Sequence, residues 1–143
     1  MFNTDLKIGQ EQELILAKLL MDSGQYDNYE LNDNADYDIS MVSFSPSGET
    51  RTTFELKYDR YDNDRVAIEV FCLRRYEKSG LLKSKADYFV ILKKGIYYLI
   101  QTKKLLGILK PEMFVIGGDG RSSVMALLDI KILEKYAKIK KMA

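Results

Sequence analysis

Asp38, Glu55 and Lys57 are the residues whose types and spacing could do chemistry together. Glu55 and Lys57 are two apart, so on an extended strand they point the same way. A strand from Tyr37 to Phe44 and a second from Arg51 to Tyr58 flank Ser45-Pro46-Ser47-Gly48-Glu49, which has turn chemistry. With the turn centred between Ser47 and Gly48, Ile39 faces Leu56, Met41 faces Phe54 and Ser43 faces Thr52 on one largely apolar face. The same register sets Asp38 opposite Lys57 and Ser40 opposite Glu55 on the other face. A slip of one residue would put Glu55 against Ile39, so the apolar pattern favours the first register. Two carboxylates so placed can hold a Mg²⁺ ion, which takes oxygen ligands and keeps several waters. The metal would acidify a bound water and offset charge on a phosphate, while Lys57 could orient that water or stabilise the phosphate. The spacing alone is also met by a cross-strand ion pair on a solvated face.

Other acids bear on the same patch. Glu69 sits in the otherwise apolar run Val66-Ala67-Ile68-Glu69-Val70-Phe71, where a carboxylate is costly if buried without a partner. A metal or Lys57 could be that partner, or an edge strand could turn Glu69 to water. Glu11 and Glu13 begin the first apolar helix, where the helix dipole favours acids in any case. Glu13 reaches a metal only if that helix packs over the site.

Composition narrows the chemistry further. There is no histidine and a single cysteine, Cys72, which excludes histidine-based nucleophile systems, internal disulfides and ordinary zinc sites. A reducing, intracellular compartment is expected, and no signal peptide or apolar span of membrane length is read from the sequence. The 143 residues are read as one domain, 1–143. Net charge is +1, yet residues 1–70 carry 6 Lys+Arg against 15 Asp+Glu, and residues 71–143 carry 16 against 6. An acidic half beside a basic half suits a metal site next to a polyanion track.

The elements that must position these residues follow from periodicity and turn chemistry. A helix is predicted over Gln10 to Asp22, closed by Ser23-Gly24, then a polar stretch from Gln25 to Asn34. After the two strands already described, a third runs from Val66 to Leu73, followed by an irregular basic segment from Arg74 to Lys85. Tyr88 to Leu92 and Ile96 to Gln101 form a hairpin around Lys94-Gly95. A short helix from Thr102 to Leu109 stops before Pro111. A strand from Ser123 to Leu128 precedes a final basic helix starting near Asp129 or Ile130 and carrying Lys135, Lys138, Lys140 and Lys141. The order is α-β-β-β-β-β-α-β-α, an α/β or α+β fold around a central mixed sheet flanked by helices.

Asp38, sixteen intervening residues and then Glu55-Leu56-Lys57 resemble the PD-(D/E)XK nuclease superfamily, with its restriction-endonuclease-like core. The likeness is greater to phage-type Holliday-junction resolvase-like members, through Gly9 to Glu13, Ile68-Glu69, Ser79-Gly80 and Ser84-Lys85-Ala86-Asp87-Tyr88. It covers roughly Lys7 to Tyr98, and Tyr37 stands where the superfamily's proline would be. Asp36 competes as the first acid, but the expected register places it opposite Asp59, beyond Lys57. The resemblance implies a Mg²⁺-dependent deoxyribonuclease, with Mn²⁺ as a substitute. It implies Asp38 and Glu55 as metal ligands, the Leu56 carbonyl completing the shell, Lys57 as the catalytic lysine and Glu13 as an auxiliary ligand. Glu69 and Glu11 stand in a second tier. The implied setting is DNA recombination in the cytoplasm of a bacterial or phage-infected host cell.

Arg74, Arg75, Lys78, Lys83 and Lys85, followed by Lys93, Lys94, Lys103 and Lys104, give a basic surface that could neutralise phosphates, and Ser79, Gly80 and Ser84 could add hydroxyl and N–H contacts. Each lysine alone reads as a solvated side chain; only the cluster points to DNA. No recognition-helix signature is present, so shape or phosphate recognition is expected over base readout. Gly117-Gly118-Asp119-Gly120 lacks the residues of a P-loop and reads as a turn. Three functions remain open: a structure-selective endonuclease acting on Holliday-junction or branched DNA as a homodimer, an end-directed or single-strand exonuclease, and a non-catalytic DNA-binding or protein-interaction module.

Overall fold

The computed structural model describes residues 2–32 and 36–141, and side chains from Gly9 onward except that of Asp119. Asp33 and Asn34, at the end of the predicted polar stretch, lie outside the described residues. The first helix, α1, spans Phe2–Asp22 and so begins earlier than apolar periodicity indicates. Among the described side chains of α1, Leu16, Ala17 and Leu20 are buried. It ends as predicted: the Ser23 hydroxyl donates to the Leu20 carbonyl at 2.6 Å, and Gly24 takes the left-handed conformation at φ 77°.

A six-stranded sheet forms the middle layer. Its strands are β1 (Asn28–Leu31), β2 (Ile39–Ser45), β3 (Gly48–Asp59), β6 (Tyr88–Lys93), β7 (Ile96–Gln101) and β10 (Lys138–Lys141), in the order β1-β2-β3-β6-β7-β10. Only β3 and β6 pair in parallel, so the sheet is mixed. A separate antiparallel sheet holds β5 (Glu77–Lys78), β4 (Arg65–Cys72), β9 (Ser123–Asp129) and β8 (Phe114–Gly117), in that order. Helices α2 (Gly80–Lys83), α3 (Thr102–Ile108) and α4 (Ile130–Tyr136) complete an α+β fold with four described helices.

This arrangement corrects the sequence reading in several places, among them the segment read as irregular, which holds β5 and α2. The strand after the hairpin, β4, leaves the central sheet and pairs with β9. The polar stretch contains a strand, β1, on the sheet edge, and Phe114–Gly117 is another edge strand. The basic tail is not one helix: α4 stops at Tyr136, and Lys138–Lys141 pairs antiparallel with β7. Lysine-rich edge strands give little hydrophobic alternation to read, although they protect an edge from further pairing. The loop containing Gly117 to Gly120 joins β8 to β9 as a turn, with Gly118 and Gly120 at positive φ.

The two faces of the central sheet bury different cores. Leu16, Ala17 and Leu20 of α1 pack on Ile39, Met41, Phe54, Val90, Leu92 and Tyr97, with Leu56 against their edge. On the other face, Phe89, Ile91, Tyr98 and Ile100 meet Val66, Ile68, Val70, Ala126 and Leu128 of the second sheet. Each buried aliphatic side chain contributes roughly 1.5–3 kcal/mol, so both layers are firmly attached to the sheet between them.

Candidate active site

The hairpin register is Ile39 with Phe54, Met41 with Thr52 and Ser45 with Gly48. The turn is thus centred between Pro46 and Ser47, two residues of pairing away from the expected register. A two-residue slip keeps every side chain on its expected face, because the strand period is two. It changes the partners: Ser40 faces Thr53, not Glu55, and Asp38 lies beside Glu55, not Lys57.

Asp38 stands where β2 and β3 separate. Its N–H donates to the Phe54 carbonyl at 2.9 Å, continuing the ladder by one bond. Its Oδ2 then accepts from the Leu56 N–H at 2.8 Å, so a side chain takes over where the β2 backbone stops. Glu55 and Lys57 pair across to Phe89 and Ile91 of β6, which places both on the face opposite α1. Lys57 Nζ is 3.5 Å from Glu55 Oε2. The Glu55 side chain is 9% exposed and that of Lys57 is 53% exposed, so the ammonium screens a carboxylate set behind it.

Burial dominates the electrostatics. Desolvation pushes the Asp38 carboxyl above its ordinary value, against the Leu56 N–H and the Lys57 charge, which pull it down. Desolvation also raises Glu55; Lys57 opposes this, Asp38 adds to it, and a hydrogen bond with Ser84 opposes it. Two half-desolvated acids side by side are poorly compensated by one lysine, and a divalent cation would relieve both.

The donor set fits a hard metal ion. The Leu56 N–H is bonded to Asp38, and on a strand a residue's N–H and C=O share one edge. Among the described residues no three Asp, Glu, Cys or His side chains converge. Asp38, Glu55 and the Leu56 carbonyl are the oxygens that could hold an ion such as Mg²⁺, which keeps several waters.

The other predicted acids fall elsewhere. Glu13 is on α1, three and four residues before Leu16 and Ala17, on the layer packed against Phe54 and Leu56; the structure does not group it with Asp38 and Glu55. Glu11 is exposed on the same helix. Glu69 lies on β4 at a bulge, accepts a short hydrogen bond from Ser123, and lines a cleft that also contains Lys57. Asp36 pairs weakly with Lys85 at 3.9 Å.

Of the predicted DNA-binding residues, Ser84 is drawn to Glu55, and Lys83 and Lys85 flank it as exposed cations. Arg74, Arg75 and Lys78 are exposed around the β4–β5 turn, with Arg75 held by Glu77 at 2.7 Å. Ser79 is buried and precedes α2. Gly80 presses against the Glu69 carbonyl at φ 49°, where a Cβ would collide. Gly80 is thus a close-packing residue joining α2 to β4. Lys138 and Lys140 lie on edge strand β10, separated from β3 by β6 and β7, and line a pocket with Phe54 and Tyr88.

Two residues take places the sequence reading does not give them: Asp87 has no role there beyond its motif, and Lys93 is expected on the basic surface. Asp87 Oδ2 accepts from both the N–H and the hydroxyl of Thr53, at 2.9 and 3.1 Å, and so fastens the start of β6 to β3 next to Glu55. Lys93 is fully buried, with Nζ 2.9 Å from Asp59 Oδ1, 2.8 Å from Asn63 Oδ1 and 2.6 Å from the Arg65 carbonyl. No family model, curated relative or solved structure matches the chain.

Proposed function

We propose that this protein is a metal-dependent DNA endonuclease of the PD-(D/E)XK type, built on a restriction-endonuclease-like core and selective for branched DNA such as a Holliday junction. The observation that carries the reading is the meeting of Asp38, Glu55 and Lys57 at the point where β2 leaves β3. Asp38, Glu55 and the Leu56 carbonyl would hold Mg²⁺ or Mn²⁺. When bound, the ion supplies an acidified water and charge for the phosphate. Lys57, half exposed at the rim, donates hydrogen bonds to the attacking water or to a non-bridging phosphate oxygen. The Leu56 N–H orients the Asp38 carboxylate, and Ser84 orients that of Glu55. Lys83 and Lys85, on either side of Ser84, would place the phosphate backbone over these groups.

Purified protein with Mg²⁺ is given a four-way junction, a linear duplex and a single strand. Paired symmetric nicks in the junction support the reading, and two such cuts call for two copies of the site in a homodimer. Stepwise loss of nucleotides from ends makes the protein an exonuclease. Binding without cutting, unaltered by Lys57→Ala, makes it a non-catalytic module.

A further inference from the structure

A cleft of about 710 Å³ opens beside Lys57, between the central sheet and the second sheet. Its floor is apolar, formed by Val66, Ile68 and Ile91, each almost fully buried, and Tyr61 and Glu69 also line it. Tyr61 is 73% exposed, a large aromatic surface left in water.

The loop that presents Tyr61 is ordered from beneath by a buried charge. Lys93 Nζ gathers Asp59, Asn63 and the Arg65 carbonyl around itself. Asp59 Oδ1 accepts in turn from the Tyr61 N–H at 3.1 Å, and Asp59 Oδ2 from the Ala67 N–H at 3.2 Å. Asn63 Oδ1 accepts from the Arg65 N–H at 3.2 Å. Arg60 is set 5.4 Å over the ring of Tyr58. Burying a lysine is expensive even when it is paired, and the result here is a short polar loop fixed with its aromatic residue outward. A loop backbone held in advance adds little ordering cost when its exposed ring stacks on a ligand.

We infer that this cleft takes an unpaired nucleobase of a DNA strand, with Tyr61 as the stacking surface, next to the phosphate held at Lys57. The inference rests on the nuclease reading for the identity of the strand. The lining is mixed in charge, with Lys57 and Arg60 beside Glu69, and a neutral base can set its flat face on Tyr61 while its amino groups find an acceptor in Glu69. A base inside a duplex has both faces covered and cannot enter such a cleft; a base at a branch point or in a single strand can. The substrate class is therefore DNA in which a nucleotide at the scissile position can leave its pair, as at a branch point, or has none, as in a single strand.

The test measures binding without catalysis. Fluorescence anisotropy in EDTA at low salt compares a labelled single strand of about 15 nucleotides with a blunt duplex of equal length. Tyr61→Ala is expected to weaken single-strand binding about tenfold and duplex binding less than about twofold, with Tyr61→Phe restoring the single-strand value. The exposure of Tyr61 allows the change without loss of fold, which a melting curve confirms. Wild-type single-strand affinity in Tyr61→Ala, an equal loss on both DNAs, or no single-strand binding by the wild type overturns the inference. Tyr61-dependent binding with no cleavage of any DNA in Mg²⁺ removes the nuclease reading alone, and cleavage that is indifferent to Tyr61 removes only the inference.

Discussion

The Asp38 carboxylate accepts a hydrogen bond from the Leu56 N–H at 2.8 Å, so an acid from one strand is fixed against the middle of Glu55-Leu56-Lys57 on the next. This bond lets β2 end without leaving the Leu56 donor unpaired, and it faces the carboxylate toward Glu55. Structure and proposed chemistry share one interaction there.

The two acids should make the metal-free protein less stable at neutral pH than it would be without them. Both carboxyls are raised in the folded state, so the fold binds more protons than the unfolded chain as pH climbs past their ordinary values of 3.8 and 4.5. Stability falls across that window and the loss is complete above the raised values. In EDTA at pH 7, Asp38→Asn and Glu55→Gln should therefore melt higher than wild type, with the advantage disappearing below the ordinary carboxylate range. Thermal melts across pH check the sign.

Added Mg²⁺ or Mn²⁺ should reverse that ranking. A ligand that binds only the folded state at a hundred times its Kd adds about 2.7 kcal/mol. For a domain of this size that is a rise of several degrees, on the order of 2–4 °C per kcal/mol. The rise is expected for wild type and absent in Asp38→Asn and Glu55→Gln, as read by calorimetry.

Lys57→Ala removes the charge that holds Glu55 down against burial. Glu55 should then titrate higher, and the acid limb of Mn²⁺ binding should move to higher pH. Metal titration at several pH values reads the shift; an unmoved limb means that Lys57 does not act on Glu55.

Lys93→Ala leaves Asp59 buried without its cation and strips a donor from Asn63 and the Arg65 carbonyl. Breaking a buried pair in this way costs about 3–5 kcal/mol, measurable as a lower urea midpoint at unchanged slope.

The sequence showed the faces of β2 and β3 because alternation survives an even slip, and the exact partners were hidden because Pro46-Ser47 and Ser47-Gly48 are both acceptable turn centres. Glu13 shares α1 with the residues that pack on β2 and β3, and a helix pattern tells which side is apolar and not which face of the sheet receives it. β10 is a short edge strand whose pairing comes from distant β7, which no local pattern records, and β8, a hairpin partner of β9, is mostly exposed and offers no alternation to read. Lys93 reads as half of a solvated Lys-Lys-Gly turn. Its parity with Phe89 and Ile91, and that of Asp59 with Glu55 and Lys57, was the available sign that it points inward.

Cleavage and binding of one branched DNA by wild type, Asp38→Asn and Glu55→Gln in Mg²⁺ probe the site most directly. The expected result is DNA affinity near wild type with cutting reduced by about two to three orders of magnitude or more in both variants. Cutting at the wild-type rate in either variant would contradict the assignment.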